Sequence, residues 1–223
     1  MLIIPDVHEN ISAVRAILEA HPNEPAIFLG DWFDKFPSQP GSFDSTLKWL
    51  AKNAAKRQFT FLFGNHDLPY IWPYEDLMCS GWERQKAFEI IPLIPLIERN
   101  FRFYTEYAGW VISHAGFSKE WPPPTFPEGD PRLEDHIRAA LKEGYVPHIL
   151  RAGRSRGGSS SHGGITWQDW HEFVPLKSTR QIVGHSRGKA PRTKGTNWCL
   201  DTGLQNYGRI SPEGLTILKT SKL

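Results

Sequence analysis

The sequence predicts an α/β fold in which two β-sheets pack face to face with helices outside. Short apolar segments of strand length alternate with amphipathic segments of helical length in the first half, and further strand-like segments follow in the second half. Strand–helix–strand order implies parallel neighbouring strands joined by crossover helices. The chain has 223 residues, 39% of them hydrophobic, which is enough for one domain spanning 1–223.

The first half alternates three strands with two helices. Strands are predicted at 2–4, 26–29 and 60–63, because these segments are short, apolar and rich in β-branched or aromatic residues. Helices are predicted at 12–20 and 42–56, because their apolar residues recur at helical spacing.

A hairpin and three further strands are predicted in the second half. Their segments are again rich in β-branched and aromatic residues, and an Ala-Gly pair provides the turn of the hairpin. The hairpin joins 101–107 to 110–113, and the strands lie at 179–183, 197–201 and 215–218.

Two segments are predicted to be irregular. Residues 121–131 include five prolines, which exclude a helix or a central strand. The loop at about 151–164 is rich in Gly, Ser and Arg and is expected to be flexible. Two interpretations stay open for it: a linker, or a flap in which Arg151, Arg154 and Arg156 close on a phosphate group.

Polar clusters follow directly after five of the predicted strands. Because a strand that ends in a small residue places the next polar side chain at the rim of its sheet, these clusters can converge on one point. Carboxylate, amide and imidazole groups together suit a divalent metal ion with mixed O and N ligands. The clusters are Asp6 with His8, Gly30-Asp31-Trp32-Phe33-Asp34, Gly64-Asn65-His66-Asp67, Ser113-His114-Ala115-Gly116 and Gly184-His185.

The order of these clusters resembles the calcineurin-like metallophosphoesterase superfamily, from Asp6 to about Gly203. The resemblance implies a four-layer αββα sandwich of two mixed β-sheets flanked by helices. The motifs are most similar to the branch of phosphoprotein phosphatases and bacterial diadenosine tetraphosphatases, because the segments 165–169 and 200–203 also look like that branch.

The resemblance also implies a centre of two divalent metal ions. Manganese is the first choice, with iron, zinc, nickel or cobalt as alternatives. A carboxylate that bridges both ions keeps them about 3.5–4 Å apart, and a hydroxide shared between them attacks phosphorus. Carried onto this chain, the ligands are Asp6, His8 and Asp31 for the first ion, and Asp31, Asn65, His114 and His185 for the second.

His66 and Asp34 are the implied catalytic pair. His66 protonates the leaving group, and Asp34 stabilises its imidazolium form. Arg187, Lys35 and Arg154 are candidates for binding the substrate phosphate. Lys35 stands where phosphoprotein phosphatases have an arginine, and a lysine cannot form the same bidentate contact. Arg187 stands where many superfamily members have a second histidine that binds the first metal.

These features predict a phosphatase that hydrolyses phosphomonoesters, with a serine/threonine-type protein phosphatase as one form. A phosphodiesterase or dinucleoside polyphosphate hydrolase is the alternative, and a non-catalytic binding scaffold is a remote one. The expected partner is an anionic phosphate ester: a phosphoprotein, a nucleotide or a small molecule. Nucleic acid stays open, since nine Lys or Arg residues lie from Lys177 onward against two acids, although no aromatic residues are interleaved to stack bases.

The predicted compartment is the cytoplasm. The two cysteines, Cys79 and Cys199, are far apart and form no C-x-x-C pattern, as is usual in a reducing environment. No apolar run approaches the roughly 20 residues of a membrane span, so no membrane partner is expected.

Overall fold

Two mixed β-sheets form the centre of the protein in the computed structural model, which describes residues 1–37, 40–119, 132–177 and 179–222. The first half begins with alternating strands and helices that match the predicted order. These are β1 (Leu2–Ile4), α1 (Ile11–Ala20), β2 (Ala26–Phe28), α2 (Phe43–Asn53) and β3 (Phe59–Leu62).

Three short helices and a strand then precede the hairpin. They are α3 (Leu68–Ile71), α4 (Arg84–Ile90), α5 (Ile94–Asn100) and β4 (Phe101–Arg102), followed by the hairpin of β5 (Tyr104–Tyr107) and β6 (Trp110–Ser113). The remaining elements are α6 (Arg132–Lys142), β7 (Gln181–Val183), β8 (Arg192–Lys194), β9 (Asn197–Cys199), β10 (Asn206–Ser211) and β11 (Gly214–Lys219).

The strand order is β11-β10-β1-β2-β3-β4 in the first sheet and β5-β6-β7-β9-β8 in the second. Strands β1 to β4 are parallel, as are β6, β7 and β9. Because parallel strands end at the same edge of a sheet, the loops after β1, β2 and β3 meet at one edge. The loops after β6 and β7 meet in the same way at an edge of the second sheet.

Alternation along the strands decides which layer each side chain enters. In β1, Leu2 and Ile4 pack with Val14 of α1 and Trp49 of α2, whereas Ile3 points to the other face. That other face carries a separate cluster with members from both sheets, namely Ile3, Ile27, Leu29, Leu62, Trp110, Ile112, Ile182, Leu200 and Ile210. The predicted arrangement of two mixed β-sheets flanked by helices is therefore confirmed.

The predicted single strand at 101–107 is wrong. Phe101–Arg102 pairs with β3 in the first sheet, while Tyr104–Tyr107 pairs with β6 in the second. The chain changes sheets at Phe103, whose side chain is fully buried among the aromatic rings of the core. The proline-rich segment 121–131 lies outside the described residues. No helix of the described part is long and apolar enough to cross a membrane.

Candidate metal centre

The polar residues of the strand-end loops have an unusual backbone conformation. His8, Asp31, Asp34 and His185 all have positive φ, with values of 42°, 51°, 62° and 64°. This left-handed region is uncommon for residues other than glycine and costs on the order of 1–3 kcal/mol each. The surrounding structure must therefore compensate the conformational strain of these turns, which place the four side chains at the sheet edges.

The loops bring four ligand atoms of the predicted second metal together. The Asn65 Oδ1 atom lies 2.8 Å from His185 Nδ1 and 3.1 Å from His114 Nε2. His114 Nε2 lies 3.2 Å from His185 Nδ1 and 3.4 Å from Asp31 Oδ2. All four predicted ligands of this ion converge on one point.

The predicted first metal has its three ligands in the neighbouring position. Asp6, His8 and Asp31 each offer a ligand atom within 4.8 Å of the others, and His8 Nε2 lies 3.5 Å from Asp31 Oδ2. Asp31 belongs to both groups, as a bridging carboxylate must. The roles of these residues as ligands stay predictions.

The predicted ligand atoms fit a cation because each carries a lone pair that is directed toward the others. His114 Nδ1 lies 2.8 Å from the Leu29 carbonyl oxygen, and His8 Nδ1 lies 3.0 Å from that of Asp34. Since a carbonyl only accepts, the proton is assigned to Nδ1 in both rings and the Nε2 lone pairs point at Asp31. Burial lowers the pKa of His8 and His114, which keeps both rings neutral as metal ligands must be.

The buried carboxylates at the centre also favour the binding of a cation. Asp6 Oδ2 is buried and has no hydrogen-bond partner among the described residues. Burial, and then the negative charges of Asp201 and Asp31, raise the pKa of Asp6 well above its usual value. Such a cluster of buried carboxylates is costly unless cations compensate it.

Two glycines in the motifs make room for carboxylates from other loops. A Cβ atom on Gly64 would lie 2.1 Å from Asp31 Oδ1, and one on Gly184 would lie 2.1 Å from Asp6 Oδ2. Any side chain at either position would displace a predicted ligand, which explains the Gly before Asn65 and the Gly before His185.

Asp67 fixes the loop of the bridging carboxylate. Its buried side chain accepts hydrogen bonds from the backbone N–H groups of Asp31 (2.9 Å), Trp32 (2.7 Å) and Gly64 (2.8 Å). We expect Asp67→Ala to destabilise the metal-free protein by about 3 kcal/mol, because it leaves three buried donors without an acceptor. Urea denaturation measures this loss, and Asp67→Asn, which keeps one acceptor oxygen, should lose less. Equal stability of all three proteins would contradict the role.

The predicted catalytic pair is in contact. His66 Nδ1 lies 3.1 Å from Asp34 Oδ2. The other oxygen of Asp34 accepts from the Tyr70 hydroxyl at 2.5 Å and lies 3.4 Å from Lys86 Nζ. Lys86 also pairs with Glu9 at 3.0 Å. Glu9 takes the left-handed conformation at φ 64°, and its carboxylate anchors the lysine that lies beside Asp34.

A cavity of about 340 Å³ opens beside the centre. Its walls contain His8, Asp31, Asn65, His66, Met78, Cys79, Arg156, Trp167 and His185, with Phe36 and Ser80. Of the substrate-binding candidates, Arg187 lies with its guanidinium 5.5 Å from the Phe36 ring centroid, and Lys35 donates to the Gly41 carbonyl oxygen at 3.1 Å. Neither these two nor Arg154 lines the cavity walls.

Arg156 lines the cavity instead of Arg154. It donates from Nε to Asp169 Oδ2 at 2.5 Å and from Nη2 to Asp169 Oδ1 at 3.0 Å. The loop around it folds back on itself, since Arg154 N donates to the Ser160 carbonyl oxygen at 2.9 Å. The flexibility of 151–164 stays a prediction. A sequence signal for Arg156 as a cavity residue was available in Asp169, the acid two residues after Trp167, because an acid in that motif needs a basic partner and Arg156 provides it.

The comparisons with known proteins agree with this geometry. The calcineurin-like phosphoesterase model matches residues 1–187. A cold-active protein-tyrosine phosphatase of a psychrophilic Shewanella species has a similar fold at 14% identity, with a TM-score of 0.69 and coverage of 100% of this chain and 78% of the other. A protein serine/threonine phosphatase from Saccharomyces cerevisiae, with similarity to human phosphatase PP5, is 12% identical, with a TM-score of 0.53 and coverage of 97% and 78%.

At such low identity the two structures share the fold alone with this chain, and no curated protein matches it significantly. The family model, by contrast, covers most of the chain and includes every predicted metal ligand. The members of the calcineurin-like phosphoesterase family depend on a dinuclear metal centre. The chain therefore belongs to this family and is a metal-dependent phosphoester hydrolase.

Proposed function

We propose that the chain is a phosphomonoesterase that transfers the phosphoryl group directly to water. The observation that carries this proposal is that one cavity contains His66, paired with Asp34, beside the predicted metal ligands and Arg156. A proton donor suits a poor leaving group such as an alkoxide, and an additional cation suits the dianion of a monoester.

When bound, the two dications supply Lewis acidity, which activates the attacking water and offsets charge on the phosphoryl oxygens. Asp6, His8, Asp31, Asn65, His114 and His185 would hold them. His66 donates its proton to the leaving oxygen, and Asp34 keeps the ring oriented through Nδ1. Manganese is our first choice, because the oxygen and imidazole ligands include no thiolate.

The proposed substrate is a phosphoprotein. Exposed apolar side chains flank the cavity, with Phe36 38% and Met78 39% accessible, and they could contact the peptide around a phosphorylated residue. The two structures of similar fold described above are protein phosphatases, which supports the same choice. Trp167 also lines the cavity, in the segment that looks like the branch of phosphoprotein phosphatases and bacterial diadenosine tetraphosphatases. Dinucleoside polyphosphates are therefore the second candidate.

A panel of substrates with Mn²⁺ tests the proposal. We expect turnover of p-nitrophenyl phosphate and phosphopeptides to exceed that of bis(p-nitrophenyl) phosphate and diadenosine tetraphosphate. The measured quantity is kcat/KM for each compound at equal metal concentration. Preference for the bis ester would replace the proposal with a phosphodiesterase, and preference for diadenosine tetraphosphate would replace it with the second candidate.

We expect Arg156→Ala, which removes a cation from the cavity wall, to lower kcat/KM by roughly 10-fold or more with metal content unchanged. Arg187 does not line the wall but lies against Phe36, which does, and we expect the same loss in Arg187→Ala because its guanidinium would reach the phosphate past that ring. A lost hydrogen bond to a charged group costs about 1.5–3 kcal/mol, and each 1.4 kcal/mol is tenfold in rate. Lys189→Ala, in the same exposed loop as Arg187, is the control and should keep its activity. If Arg187→Ala behaves like the control, Arg187 does not bind phosphate, and the same criterion applies to Arg156.

A further inference from the structure

A third group of potential metal ligands lies beside the dinuclear centre. Cys79 Sγ lies 3.4 Å from His66 Nδ1 and 3.8 Å from Asp34 Oδ2, and the latter two atoms are 3.1 Å apart. None of these three residues is a predicted ligand of the two catalytic ions. The three atoms form a triangle of sulfur, nitrogen and oxygen.

The triangle has nearly the dimensions of one face of a zinc tetrahedron. With Zn–S of about 2.3 Å and Zn–N or Zn–O of about 2.0 Å, tetrahedral angles place sulfur about 3.5 Å from each neighbour and nitrogen about 3.3 Å from oxygen. The observed separations differ from these values by a few tenths of an ångström. Small side-chain rotations would therefore complete the site.

The surroundings leave these atoms available to an ion. Asp34 Oδ1 is engaged by Tyr70 and Lys86, while the polar contacts of Oδ2 are with His66 and Cys79. The Asp34 side chain is 1% exposed and that of His66 is 11% exposed, so both side chains are largely shielded from bulk water. His66 and Cys79 both line the cavity, from which water can supply a fourth ligand.

We propose that Asp34, His66 and Cys79 form a third metal site that takes a thiophilic dication such as Zn²⁺. A thiolate ligand selects zinc over manganese or magnesium, so this site and the oxygen-rich centre differ in metal preference. Binding displaces the protons of the Cys79 thiol and of the His66 imidazolium, which pass to solvent.

Occupancy should inhibit the enzyme. An ion on His66 Nδ1 replaces the hydrogen bond to Asp34 that orients the ring as a proton donor. This consequence rests on the proposed role of His66, whereas the binding itself does not. Inhibition should be greater for alkyl phosphates than for p-nitrophenyl phosphate, whose leaving group needs no proton.

Cobalt binding tests the site without reference to activity. Wild-type protein titrated with Co²⁺ should bind three equivalents and develop the near-ultraviolet absorption of a thiolate–cobalt bond. Cys79→Ser should bind two equivalents and lack that absorption. Cys199→Ser, which removes the other, buried cysteine, should behave like wild type. Absence of the absorption in wild type, or its persistence in Cys79→Ser, would overturn the proposal.

Zinc inhibition of the Mn²⁺-loaded enzyme provides the second test. The zinc concentration for half inhibition should be on the order of 10-fold or more higher in Cys79→Ser than in wild type, since even outer-shell changes cost 10–100-fold in metal affinity. Exchange of zinc into the dinuclear centre would affect both proteins equally. Equal sensitivity of the two proteins would overturn the inhibitory role. If no phosphoester is hydrolysed at all, the proposed function fails while the cobalt result still decides the site.

Discussion

Replacing Asp31 with asparagine is expected to abolish hydrolysis and to reduce bound metal below two equivalents. Asp31 Oδ2 faces His8 on one side and His114 on the other, so it contributes to both groups of ligands. Asparagine retains the shape, and one oxygen can still accept from the His66 N–H. The bridging negative charge is lost, however. If transition-state stabilisation falls by several kcal/mol, the rate falls on the order of 10³-fold.

Elemental analysis after dialysis, together with kcat/KM in Mn²⁺, measures both effects. Asp44→Asn is a matched control, because Asp44 is an exposed helix residue that pairs with Lys48 at the surface. It should keep two equivalents of metal and full activity. Full metal loading of Asp31→Asn with surviving activity would show that Asp31 does not bridge.

The ligand set could be predicted from sequence because each ligand follows directly after a strand. Parallel strands end at one edge, so the chain order of Asp6, Asp31 and Asn65 already implied their proximity. The left-handed turns that aim Asp31 and His185 could not be predicted, since non-glycine residues rarely adopt them. They depend on contacts from other loops, such as the hydrogen bonds that Asp67 accepts.

Residues that support the site from a distance in sequence were missed. Lys86 lies on α4 and reaches Asp34 and Glu9, 52 and 77 residues away. Tyr70 and Cys79 contact Asp34 from the segment after the third strand. No local pattern marks such residues, because only the tertiary fold brings them to the acid.

The missed fold elements have local explanations. Strand β8 is a polar and largely exposed edge, so its residues do not alternate between apolar and polar. Strand β10 contains Gly208, which weakens a strand prediction. A Cβ at this position would lie 3.0–3.3 Å from Leu215, Leu200 and Ile3, so a side chain there would require these neighbours to shift by a few tenths of an ångström. Pro92 lies between α4 and α5 and Pro95 in the first turn of α5, and both obscure the helical periodicity of this segment.

His66→Asn is expected to spare p-nitrophenyl phosphate and to slow the hydrolysis of alkyl phosphates on the order of 10²–10⁴-fold. Burial by itself would lower the pKa of His66, but the charge of Asp31 and the hydrogen bond to Asp34 outweigh it and raise the pKa well above its usual value. Two bound dications would offset the charge of Asp31, so in the metal-loaded enzyme the hydrogen bond to Asp34 is the contact that stabilises the protonated ring. p-Nitrophenolate leaves without a proton, whereas the alkoxide of serine requires one.

The comparison of the two leaving groups separates proton donation by His66 from any role of His66 in binding the substrate. kcat/KM of His66→Asn for a phosphoserine peptide and for p-nitrophenyl phosphate, each relative to wild type, gives the selective loss. Asp34→Asn should follow the same pattern more weakly, because Asp34 acts through the imidazolium. The two Mn²⁺ ions of the dinuclear centre should be retained in both variants, which separates them from Asp31→Asn. An equal loss on both substrates would exclude proton donation and would assign His66 to binding of the phosphoryl group, since a binding contact acts whatever group leaves.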